Sequence, residues 1–137
     1  MPRLAMALGT TVGGLLDERP AGRVVALRRG EQAVIRDEAG WERRILSPGV
    51  PGVEFEFIRT VVPAGVRVGA FAAHAPGSRE YVAVETGGLV VEVDGERVLL
   101  GPGDSVYYEG DCVHSFVNEG DVECVYYTAM HVERSPG

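Results

Sequence analysis

Apolar and polar positions change their period once along the chain. Residues 1–16 place Leu4, Ala7, Leu8, Val12, Leu15 and Leu16 at helical spacing, broken by Gly9 and by Gly13-Gly14. That spacing predicts two short helical turns, with Thr10 or Thr11 capping the second. Asp17-Glu18-Arg19-Pro20-Ala21-Gly22 reads as a polar linker interrupted by Pro and Gly. From Arg23 onward the helical period disappears. Short β-branched runs follow at 23–28, 32–36, 41–46, 53–62, 66–72, 79–85, 89–94, 96–100, 105–109, 113–117 and 122–132, separated by turn residues. Strands at this regular spacing predict a sandwich or barrel.

The clearest join is Val91-Glu92-Val93-Asp94-Gly95-Glu96-Arg97-Val98, where Asp-Gly between two alternating segments suits a type I′ hairpin. Gly87-Gly88 also reads as a turn. Alternation predicts one mostly apolar inward face carrying Phe55, Phe57, Arg59 and Val61, and another carrying Cys112, His114, Phe116 and Asn118. In adjacent pairs such as Tyr107-Tyr108, alternation sends one ring inward and one outward. At most about half of Tyr81, Tyr107, Tyr108, Tyr126 and Tyr127 can therefore line a cavity. No repeat at a fixed period and no low-complexity tract interrupts this plan.

A chain of 137 residues, 45% hydrophobic and 24% charged, is sized for one domain, here residues 23–137, after a short helical segment and linker at 1–22. No apolar run approaches the roughly 20 residues of a membrane span, and the start lacks the apolar stretch and cleavage site of a secretion signal. A cytoplasmic protein without a membrane partner is expected. Cys112 and Cys124 are too few for a disulfide framework and are expected to be small buried hydrophobes. Residues 1–47 hold eight Arg against six acids, and residues 48–137 hold five Arg against fourteen acids. The acidic larger part argues against nucleic-acid binding by the barrel itself. All thirteen basic residues are Arg, from which no mechanism follows.

Only His74, His114 and His131 are available for imidazole chemistry. His74 precedes Glu80 by six positions, and Gly87 follows Glu80 by seven; His114 follows Gly103 by eleven and precedes Asn118 by four. These spacings resemble the two motifs of the cupin superfamily. The second is matched at Gly103, His114 and Asn118, with Glu109 and Asp111 standing where the family has Pro and Gly. In the first, Glu80 and Gly87 match. One spacer length puts His74 at the first His position and Pro76 at the second; the other puts Ala73 and Ala75 there, with His74 between them. The resemblance covers about residues 50–130 and implies an all-β, cupin-type double-stranded β-helix, or jelly-roll barrel, after the short N-terminal helical segment.

Residues 3–16 are similar to the last two helices of an XRE-type helix-turn-helix domain, and His74-Ala75-Pro76-Gly77-Ser78-Arg79-Glu80 resembles the barrel signature of XRE-type regulators with a C-terminal cupin sensor. The recognition helix and the helix before it would lie upstream of Met1. DNA is therefore an expected partner only through a helix-turn-helix domain not complete in these residues.

The resemblance implies a metal set of His74, Glu80 and His114, suited to a divalent transition metal such as Zn, Fe, Mn or Ni. The alternative is a metal-free pocket left by loss of the second motif histidine. Ligand-binding residues are expected to be Arg59, His74, Glu80, His114, Phe116 and Tyr126, with Glu80 either a ligand or the partner of Arg59 or Arg67. Glu85 is on the opposite parity and His131 lies outside any motif, so both are expected at the surface. No phosphate loop or nucleophile elbow stands out. The implied function is a ligand-sensing domain of an XRE-type transcriptional regulator that binds a small-molecule effector and forms a homodimer covering Leu4, Leu8, Leu15 and Leu16. A freestanding metal-dependent cupin enzyme, of dioxygenase or isomerase type acting on a small acid or phenol, is the alternative, and a fully packed scaffold barrel is the third reading.

Overall fold

The computed structural model describes residues 23–131, so the expected N-terminal helical turns lie outside the described residues. Residues 23–26 and 49–52 fall in a small unit of their own, without strand; among the described residues the body comprises 27–48 and 53–131. Its ten strands are β1 (Val34–Arg36), β2 (Glu42–Ile45), β3 (Phe55–Val62), β4 (Arg67–Phe71), β5 (Arg79–Thr86), β6 (Leu89–Val93), β7 (Glu96–Leu100), β8 (Ser105–Glu109), β9 (His114–Val117) and β10 (Cys124–His131). No α-helix occurs among the described residues.

The strands form two antiparallel sheets. One is ordered β4-β9-β6-β7 and the other β1-β2-β3-β10-β5-β8. The chain crosses between them repeatedly, as a jelly roll does: β4 lies in the smaller sheet, β5 in the larger, β6 and β7 in the smaller, β8 in the larger. Val68, Leu89, Val91, Leu100 and Phe116 from the smaller sheet pack on Val62, Val82, Val84, Cys124 and Tyr126 from the larger. Apolar burial between the inner faces holds the walls together.

The β6–β7 hairpin turns at Asp94 (φ 50°) and Gly95 (φ 82°), the two left-handed positions of a type I′ turn. Gly87, between β5 and β6, has φ 78°, and a Cβ there would stand 2.5 Å from the Glu123 carbonyl oxygen. Asn118 ties the end of β9 to its surroundings. Its amide donates to the Val62 and Val122 carbonyls at 3.0 and 2.8 Å and its side-chain oxygen accepts from the Gly120 N–H at 2.9 Å.

Two expectations are corrected. The run at 23–28 is not a strand; it leads into a 3₁₀ turn at Arg29–Glu31, closed by the Glu31 N–H donating to the Arg28 carbonyl and by the Arg28 N–H donating to the Glu31 carboxylate. The facing of β3 is reversed as well. Ile58, Thr60 and Val62 are buried, whereas Phe55 and Phe57 are exposed and Arg59 lies on their side. The outer aromatics are held by neighbours on the sheet face, Phe57 stacking on Tyr127 with ring centroids 5.8 Å apart and Phe55 lying 4.9 Å from His131.

Candidate metal centre

His74 sits on the connection between the two sheets, after β4. Its backbone N–H donates to the Gly110 carbonyl at 2.8 Å, and Gly110 in turn donates to the Ser78 carbonyl at 2.8 Å. The turn below it is closed by Ser78, whose N–H and hydroxyl both donate to the Ala75 carbonyl, with Gly77 in the left-handed region that the turn requires. Pro76-Gly77 therefore builds the corner that presents His74, and Gly110 packs against its imidazole.

Glu80 is the second residue of β5 and points into the barrel, in the buried phase with Val82 and Val84. His114 opens β9 on the facing sheet and is 3% exposed. One side-chain donor atom from each of His74, Glu80 and His114 lies within 4.8 Å of the other two. His114 Nε2 and Glu80 Oε1 are 3.7 Å apart. His114 Nδ1 is 3.0 Å from the Cys112 carbonyl. A carbonyl can only accept, so Nδ1 carries a proton and Nε2 is the nitrogen turned toward the centre.

The local electrostatics favour a neutral His74 imidazole and penalise a bare Glu80 carboxylate. Burial lowers the His74 pKa, and the neighbouring His114 lowers it further. Burial also raises the pKa of Glu80, against the opposing pull of His114 and Tyr108. Tyr108 is pushed far above the ordinary phenol range by burial and then by Glu80, so its hydroxyl stays protonated. Glu80 Oε1 is buried and makes no hydrogen bond of normal geometry, the Tyr108 hydroxyl being the neighbouring donor that favours its ionised form. A buried carboxylate oxygen facing two imidazoles is what a divalent cation would satisfy, and two nitrogens with one carboxylate oxygen suit a transition metal with coordination positions left open. The residues fit the group.

A cavity of about 130 Å³ adjoins these three side chains. Phe116 lines it, as expected. Its remaining walls are Arg43, Glu56, Ile58, Phe71, Thr128 and Met130, none of them singled out from the sequence. Thr128 and Met130 continue the inward parity of Tyr126 along β10, a signal that alternation carries. Tyr126 itself belongs to the closed core, fully buried, and does not line the cavity. Arg59 is likewise absent from the lining, because β3 turns Glu56 and Ile58 inward instead.

The expected partners of Glu80 are also corrected. Arg59 faces away, and Arg67 is paired with Glu92 on the smaller sheet. Glu85 is exposed and accepts a hydrogen bond from the Tyr127 hydroxyl at 3.0 Å. His131 is only partly exposed because Phe55 covers it. Cys124 is buried, with burial pushing its thiol up to about 11, while Cys112 is only partly buried and directs its thiol at the Glu109 carbonyl.

A model of the cupin domain matches residues 58–130, more than half of the chain, and the chain belongs to the cupin family. No curated protein matches it. Among solved structures, the cupin domain of an XRE family transcriptional regulator from Enterobacter cloacae is similar, with TM-score 0.64 and 24% identity over 69% of this chain and 98% of that one. An HTH_3 family transcriptional regulator from Vibrio cholerae has TM-score 0.63 and 19% identity, over 69% of this chain and 52% of that one. A predicted oxalate decarboxylase from Thermotoga maritima has TM-score 0.60 and 20% identity, over 80% of this chain and all of that one. At these identities the likeness is one of fold.

Proposed function

We propose that the barrel is a ligand-sensing domain of an XRE-type transcriptional regulator, taking a small-molecule effector into the cavity beside His74, Glu80 and His114. The observation that carries this reading is the cavity itself: a polar centre at one side, walls that combine Ile58, Phe71, Phe116 and Met130 with Arg43, Glu56 and Thr128, and space left between the sheets. A fully packed scaffold barrel has no such space. The similar fold in two transcriptional regulators and the likeness of residues 3–16 to the end of a helix-turn-helix domain support the regulatory part. DNA contact belongs to a helix-turn-helix domain, and the sensor is read as a homodimer whose geometry shifts with the effector. No helix among the described residues is long and apolar enough to cross a membrane.

His74 and His114 would hold a divalent metal through their imidazoles and Glu80 through its carboxylate. The metal would supply a Lewis acid for an oxygen of the effector. The chain's own residues do the rest. The Cys112 carbonyl fixes the His114 ring, Gly110 and the Ser78 turn fix His74, and Phe71 and Phe116 exclude water from one side.

Thermal unfolding of the purified chain, metal-free and metal-loaded, against a panel of small acids, amides and phenols tests the reading. A sensor is stabilised by its effector according to concentration and affinity and leaves it chemically unchanged. Absence of any stabilising compound would count against sensing. Turnover of the stabilising compound, lost in His114→Ala, would instead favour the metal-dependent enzyme, which the open coordination positions also permit.

A further inference from the structure

Arg43 lies on β2 opposite Thr60, which faces the core, so the arginine enters the barrel from a strand outside the matched family region. Its guanidinium carbon lies 5.0 Å from the centre of the Phe71 ring. Its Nε is buried without a hydrogen-bond partner, and no ion pair or hydrogen bond holds the guanidinium among the described residues. Arg44, next to it, shares a buried Nε without a partner but donates from a terminal nitrogen to the Arg29 carbonyl at 3.3 Å. The Glu56 and Glu80 carboxylates share the cavity, and Arg43 acts on Glu80 through space without a hydrogen bond to it; a cation on an aromatic ring at that wall is matched by a planar anion with two acceptors.

The cavity limits the size of that anion. At about 130 Å³ it is well below the range for drug-sized ligands. Ile58, Phe71 and Met130 offer apolar surface for a short carbon body, and the imidazoles beyond offer a second polar end. Resting on the sensing reading of the same cavity, we propose that Arg43 makes it a receptor for a small carboxylate with a second oxygen donor, a hydroxy or 2-oxo acid. The guanidinium grips the carboxylate at two points, and the second oxygen turns toward His74 and His114.

Titration calorimetry on the full chain with lactate, pyruvate, lactamide and inorganic phosphate tests this, with zinc content measured on the same samples. Lactate or pyruvate should bind the wild type, and lactamide, of the same shape without the charge, should bind at least about tenfold more weakly. Arg43→Gln should lose about tenfold to a hundredfold in carboxylate affinity while keeping its zinc, Arg43→Lys should recover part of the loss, and Arg44→Gln should match wild type. Equal binding of lactate and lactamide, or unchanged carboxylate affinity in a folded Arg43→Gln, overturns the inference. So does binding of phosphate alone. If the variant does not fold, the wild-type lactate to lactamide ratio decides. Binding of a neutral compound alone would refute the carboxylate and leave sensing standing, whereas no binding by any small molecule would remove both.

Discussion

Glu80 Oε1 and His114 Nε2 face one another at 3.7 Å from opposite sheets, with the far nitrogen of the imidazole committed to the Cys112 carbonyl. The gap is too long for a hydrogen bond and short enough for both atoms to reach one ion, since donor–metal distances in such sites are about 2.0–2.2 Å. His74 completes the set from the connecting loop.

The first prediction follows from that spacing. Wild-type protein stripped with a chelator and dialysed against zinc or manganese should retain metal in stoichiometric amount, and His114→Ala and Glu80→Gln should each retain only background. Elemental analysis after dialysis checks this. Equal retention in all three would place the metal elsewhere on the surface.

Gly110 offers a subtler probe. A Cβ there would stand 3.3 Å from both His74 Cδ2 and Ser78 Cβ, so Gly110→Ala must push the imidazole or its turn by a few tenths of an ångström. Metal affinity should fall while the melting temperature changes little. Gly30→Ala, with open space around it, is the matched control and should bind metal as wild type does.

Glu92 gives the smaller sheet a pH dependence of definite sign. Hydrogen bonds from Arg67 and Ser115 hold its carboxyl down at about 2, against the ordinary 4.5. A depressed carboxyl stabilises the fold above its unfolded pKa, and that contribution is lost as pH falls from about 4.5 toward 2. Glu92→Gln should therefore be less stable than wild type at pH 7, and the two should converge in acid. Melting temperatures taken across this range would show it; a constant difference would refute it.

Legibility in the sequence depended on whether one local rule sufficed. Asp94-Gly95 was readable because a type I′ turn needs two left-handed residues in a row. His74, Glu80 and His114 were readable as a set because their spacings resemble the family motifs, although the first motif is degraded. Arg43 was not. Arg43-Arg44 occupies both parities, and only pairing of β2 with β3 decides which one enters the barrel. Arg59 was misassigned for a related reason: both faces of β3 carry large apolar residues, and Phe57 is satisfied by stacking on Tyr127 rather than by the core.

Asn118 yields a stability prediction that leaves the metal centre intact. Asn118→Ala would leave two carbonyls and one N–H without their side-chain partners in a fully buried position, at a cost of about 2–4 kcal/mol. Urea unfolding measures the loss. Zinc retention at low temperature should be unchanged, because the amide lies at the far end of β9 from His114.

The three donors come from the smaller sheet, the larger sheet and the loop joining them. An occupant of the centre is thus a rivet through two plates. With the rivet in, strand β9 on one plate and strand β5 on the other must loosen together, so their amides should exchange hydrogen with a shared opening energy; with it out, each plate can breathe on its own.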